Sequence, residues 1–260
     1  MKPRALDLFC CAGGATKGLQ RAGFHVTGVD LNPQPRYCGD EFHRADAMTF
    51  PLDGFDFIWA SPPCQAFTRL RSLQRGKEYP DLIAATRERL ISSNIPYSIE
   101  NVDGAPLGGY LILLCGTMFG LETRGGRAEL RRHRLFETSF SIPLRPQCQH
   151  GHRKVLTAVG HTPVDNNFRR HAITVTGTGM GSRISRARAI TVTGSTAQTN
   201  TVRNLEREVF TVSEAREAMG IDWMGMKGLS QAIPPAYAEF IGRQALQGAA
   251  ALGELMRRIS

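Results

Sequence analysis

Cys64 stands where a strand gives way to a stiff loop, and a thiol in such a place can act as a nucleophile. The run Phe55-Asp56-Phe57-Ile58-Trp59-Ala60 is apolar and aromatic, as a short buried strand is. In Ser61-Pro62-Pro63-Cys64-Gln65-Ala66 the prolines cannot continue a ladder, so the strand stops before Cys64. In open α/β sheets chemistry collects beyond the carboxyl ends of strands. A cysteine in a turn is otherwise a small apolar packing residue, so the reading depends on what else the chain brings there. Tyr97-Ser98-Ile99-Glu100-Asn101-Val102 predicts another strand with polar residues at its carboxyl edge. A Glu buried in such a strand is unusual unless it is paired or functional. Arg131-Arg132-His133-Arg134-Leu135-Phe136 alternates, which predicts a strand with Arg132 and Arg134 on one face.

Other segments must hold these residues in place. Ala5 to Phe9 reads as a strand, followed by the small residues Cys10 to Ala15, then a helix with Leu19 and Ala22 inward and Gly23 as its stop. His25 to Val29 is a second strand ending in Asp30. Strand, Gly-rich turn, helix, strand and acid is the layout of a nucleotide-type cofactor site. The glycines are not spaced G-x-G-x-x-G, which points away from a dinucleotide and toward an adenosine without a pyrophosphate. A short segment ends in Asp46, and Pro80 to Ser92 predicts a helix with Leu82, Ile83, Ala85 and Leu90 available for one face. Ser213 is the expected N-cap of a helix ending before Gly220. Pro234 and Pro235 open a last helix running to about Arg258, whose Tyr237, Phe240, Ile241, Leu246 and Leu252 would pack back on the sheet.

The chain has 260 residues, 42% of them apolar, which permits a sizeable core. No apolar run is long enough to cross a bilayer, and the N-terminus lacks a signal-peptide pattern. The six cysteines form no compact secreted-type framework, so a reducing compartment is expected. Net charge is +9, and the excess is uneven. Between Thr138 and Arg203 stand Arg145, Arg153, Lys154, Arg169, Arg170, Arg183, Arg186, Arg188 and Arg203, with Asp165 the sole acid. Such a segment attracts polyanions, nucleic acid first among them. Ala172-Ile173-Thr174-Val175-Thr176-Gly177 recurs as Ala189-Ile190-Thr191-Val192-Thr193-Gly194 and predicts two strands of a small irregular domain, Ile and Val on one face and Thr on the other. The expected organisation is an α/β domain over 1–137 and 205–260, interrupted by a basic insert over 138–204.

Taken together, these motifs resemble the DNA (cytosine-5)-methyltransferase family over nearly the whole chain. Asp7-Leu8-Phe9 with Gly13-Gly14 resembles the cofactor-loop motif, Pro63-Cys64-Gln65 the nucleophile motif and Glu100-Asn101-Val102 the ENV motif. Arg132-His133-Arg134 matches the paired arginines, and Leu114-Cys115-Gly116-Thr117-Met118-Phe119-Gly120 a stretch common in that family. Phe210 to Ala215 resembles the motif supporting the recognition domain, and Ile233-Pro234-Pro235 the last motif. The chain departs from the pattern at Cys11 (usually Gly), at Leu130 (often Gln) and at Ser230-Gln231 (usually Gly-Asn).

The resemblance implies a Rossmann-like, S-adenosylmethionine-dependent methyltransferase sheet with a small, mostly β target-recognition insert. It implies that Cys64 adds to carbon-6 of a cytosine flipped out of double-stranded DNA, so that carbon-5 can take a methyl group. Arg132 and Arg134 are the expected electropositive surroundings of the thiolate. Glu100 is expected to meet ring nitrogen 3 in its acid form, Arg134 to hold the carbonyl, and Asn101 to fix the Glu100 loop. Phe9, Gly13, Gly14, Asp30, Asp46, Ala47, Pro63 and Gln231 are the expected S-adenosylmethionine residues. Gln65, Arg69 and Arg71, in a basic loop with Arg75 and Lys77, and Arg183, Arg186 and Arg188 in the insert are expected on DNA. A monomer in the cytoplasm of a bacterial or phage-infected cell fits this reading. Methylation of RNA by a member of the same family, or a catalytically silent DNA-binding protein, are the alternatives. No metal site is expected: Cys148-Gln149-His150-Gly151-His152 reads as a polar loop, and Cys10, Cys11, Cys38 and Cys115 as packing residues. His133 reads as structural, and Trp59 and Trp223 as core.

Overall fold

The structure is a computed structural model that describes residues 1–64, 67, 81–123, 125–126, 128–148, 171–176, 190–193 and 211–259. In chain order these form β1 (Arg4–Leu8), α1 (Gly14–Ala22), β2 (His25–Asp30), β3 (Glu41–Arg44), β4 (Phe57–Ala60), α2 (Ile83–Ser93), β5 (Tyr97–Asn101), β6 (Tyr110–Leu114), β7 (Glu122–Thr123), β8 (Ala128–Leu130), β9 (Arg134–Thr138), β10 (His171–Thr176), β11 (Ile190–Thr193), α3 (Val212–Met219), α4 (Met226–Gln231) and α5 (Pro235–Ile259). One sheet runs in the order β3-β2-β1-β4-β5-β9-β6. Its first five strands are mutually parallel, and β9 is antiparallel to both neighbours. The strand order reverses at β1, which opens a crevice beyond the carboxyl ends of β1 and β4.

Alternation along β4 explains both faces of this sheet. Phe57 and Trp59 join Phe24, Val26, Phe136, Tyr237 and Ile241 in one cluster, which α1 and α5 cover. Ile58 and Ala60 join Leu6, Leu8, Val29, Ile99 and Leu90 in the other, beneath α2. Trp59 is fully buried as expected. Trp223 is half-buried instead, because its Nε1 donates to the Ala12 carbonyl at 2.8 Å and so joins α3–α4 to the glycine loop.

Several element boundaries differ from expectation for local reasons. α1 ends at Gly23 in the left-handed region (φ 116°), as expected. α2 begins at Ile83 rather than Pro80, because the Asp81 side chain accepts from the Ile83 N–H at 3.0 Å. Its buried face is Ile83, Thr86 and Leu90, while Ala85 is exposed. α3 is capped two residues earlier than Ser213 predicts: Thr211 accepts from the Glu214 N–H and donates its own N–H back to that carboxylate. Residues 131–133 are not strand, and β9 begins only at Arg134. β10 and β11 carry the two repeats and pair in parallel; β10 also pairs with β8, in a second sheet ordered β11-β10-β8-β7. The faces of the repeat side chains, and that of Leu252, lie outside the described residues. Among the described residues no helix is long and apolar enough to cross a membrane.

Candidate active site

Strand register brings the candidate residues to one edge. Leu8 pairs with Ala60, Ala60 with Ile99, and Asn101 with Leu135. Because β9 runs antiparallel, its first residue lies at the same edge where β5 ends, and so Arg134 meets Glu100. Arg134 Nε lies 3.1 Å from Glu100 Oε1. The Cys64 loop is tied at two points. The Ser61 N–H donates to the Leu8 carbonyl at 3.1 Å, and Asn101 Nδ2 donates to the Pro62 carbonyl at 3.1 Å. Asn101 Oδ1 accepts from the Val102 N–H at 2.9 Å. Asn101 therefore fixes the nucleophile loop to the Glu100 strand, as well as the turn after Glu100.

Glu100 is 7% exposed. Burial raises its pKa, and the opposing pull of Arg134, Arg132 and a hydrogen bond from Ser61 does not cancel the shift. Burial thus favours its acid form more than in an exposed glutamate. Cys64 is half-buried, and its thiol pKa is raised by burial and by the Glu100 charge, against Arg134 and Arg132. Arg134 and Arg132 favour the thiolate, and desolvation and the Glu100 carboxylate outweigh them. A protonated Glu100 removes one of the two raising effects, so the acid form of one group supports the base form of the other.

The two arginines do different work. Arg134 has 18% of its side chain exposed and pairs with Glu100. Arg132 is 2% exposed, donates from Nη2 to the Ser230 carbonyl at 3.0 Å, and accepts at its own carbonyl from the Tyr237 hydroxyl at 2.6 Å. Burial, then the charge of Arg134, lowers its pKa to about 9. It joins the edge to α4 and α5 while adding positive potential at Cys64.

The glycine loop makes the other half of the site. Phe9 (φ 62°), Cys11 (φ 48°) and Gly13 (φ 87°) all adopt the left-handed region. For Phe9 and Cys11 this costs about 1 kcal/mol or more each, strain of the kind found at ligand sites. The Cys11 N–H donates to Asp30 Oδ2 at 3.0 Å and the Asn32 N–H to Oδ1 at 2.8 Å, so Asp30 anchors the loop with one backbone donor on each oxygen. Gly13 is the left-handed N-cap of α1. Gly14 faces protein: a Cβ there would lie 2.5 Å from the Ile233 carbonyl. Of the other expected donor-binding residues, Phe9 and Pro63 are half-buried near this edge. The Asp46 carboxylate accepts from the Met48 N–H at 2.9 Å and is exposed, the Ala47 side chain lies in the core, and Gln231 is exposed at the end of α4. A strained loop, a carboxylate with lone pairs to spare and a half-buried phenyl ring fit an adenosine. Gln65, Arg69, Arg71, Arg183, Arg186 and Arg188 lie outside the described residues.

Sequence reasoning missed two groups. Ser61, within the nucleophile motif, hydrogen-bonds Glu100 and accepts from Trp59 Nε1 at 3.0 Å. Asp7, buried in β1, accepts from the Thr16 hydroxyl at 2.5 Å. Its Oδ1 has no hydrogen-bond partner among the described residues. Burial raises its pKa from 3.8 to about 7. An acid inside an apolar strand was the available signal.

Comparison with protein-family models and with curated proteins gives no match. Two solved structures resemble the chain over nearly its full length. One, described as a DNA modification methyltransferase encoded within an E. coli prophage, shares 16% identity at a TM-score of 0.53, covering 95% of this chain and 99% of that one. The other, the S. pombe Dnmt2 methyltransferase, shares 16% identity at a TM-score of 0.56, covering 96% and 99%. The likeness establishes the fold: a mixed α/β, mostly parallel sheet of the Rossmann-like methyltransferase type.

Proposed function

We propose that this protein is a DNA (cytosine-5)-methyltransferase that uses Cys64 as a covalent nucleophile. The observation that carries the reading is the meeting of Cys64, Glu100 and Arg134 at one sheet edge, from three separate chain segments, beside a loop suited to an adenosine. S-adenosylmethionine, when bound, supplies an electrophilic methyl group on a sulfonium. Phe9, Asp30 and the backbone from Cys10 to Gly13 are the residues that would hold it.

Carbon-5 of cytosine is a weak nucleophile because the ring is aromatic. The Cys64 sulfur forms a bond to carbon-6, and the ring electron pair moves toward nitrogen 3. Glu100, favoured in its acid form, donates a hydrogen bond or proton there, so the ring carries little negative charge. Arg134 stabilises the adjoining carbonyl oxygen. Carbon-5 is then enamine-like and able to accept a methyl group. Loss of the carbon-5 proton to a base restores the ring and expels Cys64 as a thiolate. A base inside a duplex cannot reach this edge, so it leaves the stack at a cost of roughly a few kcal/mol. The arginine-rich segment between Thr138 and Arg203 supports duplex DNA as the partner through phosphate contacts.

The test uses purified protein, donor, and either mixed-sequence duplex DNA or transfer RNA. Duplex DNA gains 5-methylcytosine, seen by nucleoside mass analysis, and the Cys64→Ser protein leaves it unmodified. Duplexes carrying 5-fluorocytosine trap the wild-type chain as a stable adduct. Methylated transfer RNA with untouched duplex would move the substrate to RNA. A Cys64→Ser protein that still methylates would remove the mechanism.

A further inference from the structure

Beside the groups of the proposed reaction, but not among them, three ligand-type side chains from separate segments converge. Cys115 follows β6, His133 lies between β8 and β9, and Cys148 lies on the chain leaving β9. One donor atom from each, Cys115 Sγ, a His133 ring nitrogen and Cys148 Sγ, lies within 4.8 Å of the others. Cys148 Sγ is 3.5 Å from His133 Nε2. The Thr117 hydroxyl lies 3.5 Å from Cys115 Sγ and 3.7 Å from Cys148 Sγ, so it lines the same small space. Cys115 is fully buried, His133 half-buried, and Cys148 closes the cluster from the surface side.

We propose that Cys115, His133 and Cys148 form a structural zinc site. Two sulfurs and an imidazole nitrogen are the donor set zinc prefers. Bond lengths of about 2.3 Å to sulfur and about 2.0 Å to nitrogen, in a tetrahedron, put neighbouring donors about 3.5–3.8 Å apart. The 3.5 Å sulfur–imidazole separation already has that value. On binding, both thiols lose their protons to solvent and each donor gives one lone pair to the cation; nothing is oxidised or reduced. The fourth position is open to water or a further donor. His150 and His152, next after Cys148 in sequence, lie outside the described residues and are not assigned.

Such a site explains why ligand-type residues occur at three distant points. It would pin the end of β6, the β8–β9 link and the chain leaving β9 to one another. His133 sits between Arg132 and Arg134, so the ion would hold the segment from which Arg134 reaches Glu100. The site does not depend on the methyl-transfer reading, and its test does not use activity.

The experiment is metal analysis of the full chain, purified without chelator and dialysed. The wild-type protein retains about one zinc per chain, and replacement by cobalt(II) gives tetrahedral visible bands with a thiolate charge-transfer band in the near ultraviolet. Cys148→Ser, chosen because it lies at the surface side and spares the closed Cys115 position, loses the zinc and weakens the charge-transfer band. Cys38→Ser, remote from the cluster, keeps both. A strong chelator lowers the wild-type melting temperature but not that of Cys148→Ser. Zinc content equal in wild type and Cys148→Ser, a cobalt spectrum without the thiolate band, or a Cys115–Cys148 disulfide in the purified protein would each overturn the assignment.

Discussion

The loop from Phe9 to Gly14 and the edge carrying Cys64, Glu100 and Arg134 belong to one sheet, yet backbone shape builds the first and side-chain charge the second. In the loop, left-handed residues, a glycine cap and the two backbone donors on Asp30 set the form. Its nearest constraint is steric, the Ile233 backbone against Gly14. At the catalytic edge, a buried acid, a half-buried thiol and two cations share a small volume, and each titration depends on the others. The difference predicts how each half fails. Damage to the loop reads out as lost stability and, on the proposed reading, as weaker donor binding. Damage to the edge reads out as lost activity and altered pH response.

The largest effect is expected at the edge. Glu100→Gln lowers methylation by roughly 10²–10⁴-fold, the usual range for a lost general acid. The same change holds residue 100 uncharged at every pH, so over the range where the wild-type carboxyl ionises it no longer raises the Cys64 thiol, and alkylation of Cys64, followed by peptide mass analysis, shifts to lower pH. An unshifted alkylation profile would show that no Glu100 charge acts on the thiol as it titrates.

A smaller effect, of the other kind, is expected in the loop. Gly14→Ala gains at most about 1 kcal/mol of helix propensity, the interior value, because Gly14 is the first residue of α1. The added Cβ, however, would stand 2.5 Å from the Ile233 carbonyl and 3.1 Å from its nitrogen. Overpacking of this sort costs about 1–3 kcal/mol, so the net change is destabilising in a urea titration. A variant as stable as wild type would mean that the α4–α5 link yields, and that the loop is less constrained than the edge.

Asp7 gives the finest test, because it combines burial in the loop's own strand with titration. Its folded pKa of about 7 lies above the ordinary 3.8, so the folded state holds its proton more tightly than the unfolded chain. The stability this brings is complete below the ordinary value and is lost as pH rises through about 7. Wild-type melting temperature is therefore expected to fall by a few degrees between about pH 5 and about pH 8, and Asp7→Asn to flatten that slope. Equal slopes would assign the pH response to other groups.

Much of the fold was legible in the residues. The strand–glycine–helix–strand–acid unit, the stop at Pro62-Pro63 and the last helix follow from local pattern, because burial on a sheet face and helix capping act over a few residues. The strand assigned to 131–136 holds from Arg134 onward, while residues 131–133 leave the ladder and Arg132 turns to the Ser230 carbonyl. β6 was not read at all: as an edge strand it leaves Tyr110, Leu111 and Leu113 exposed, which blurs its pattern.

The sequence by itself determined which chemistry was on offer: a thiol after a strand, an acid in a strand, paired arginines and a cradle of small residues. Only the tertiary structure decided which of these groups meet. The antiparallel insertion of β9 beside β5 brings residue 134 to residue 100, while the fold draws Arg132 back against Ser230 and draws Cys115, His133 and Cys148 together. Residue types and short spacings are local properties, whereas desolvation and charge coupling depend on distances that exist only after distant segments have packed.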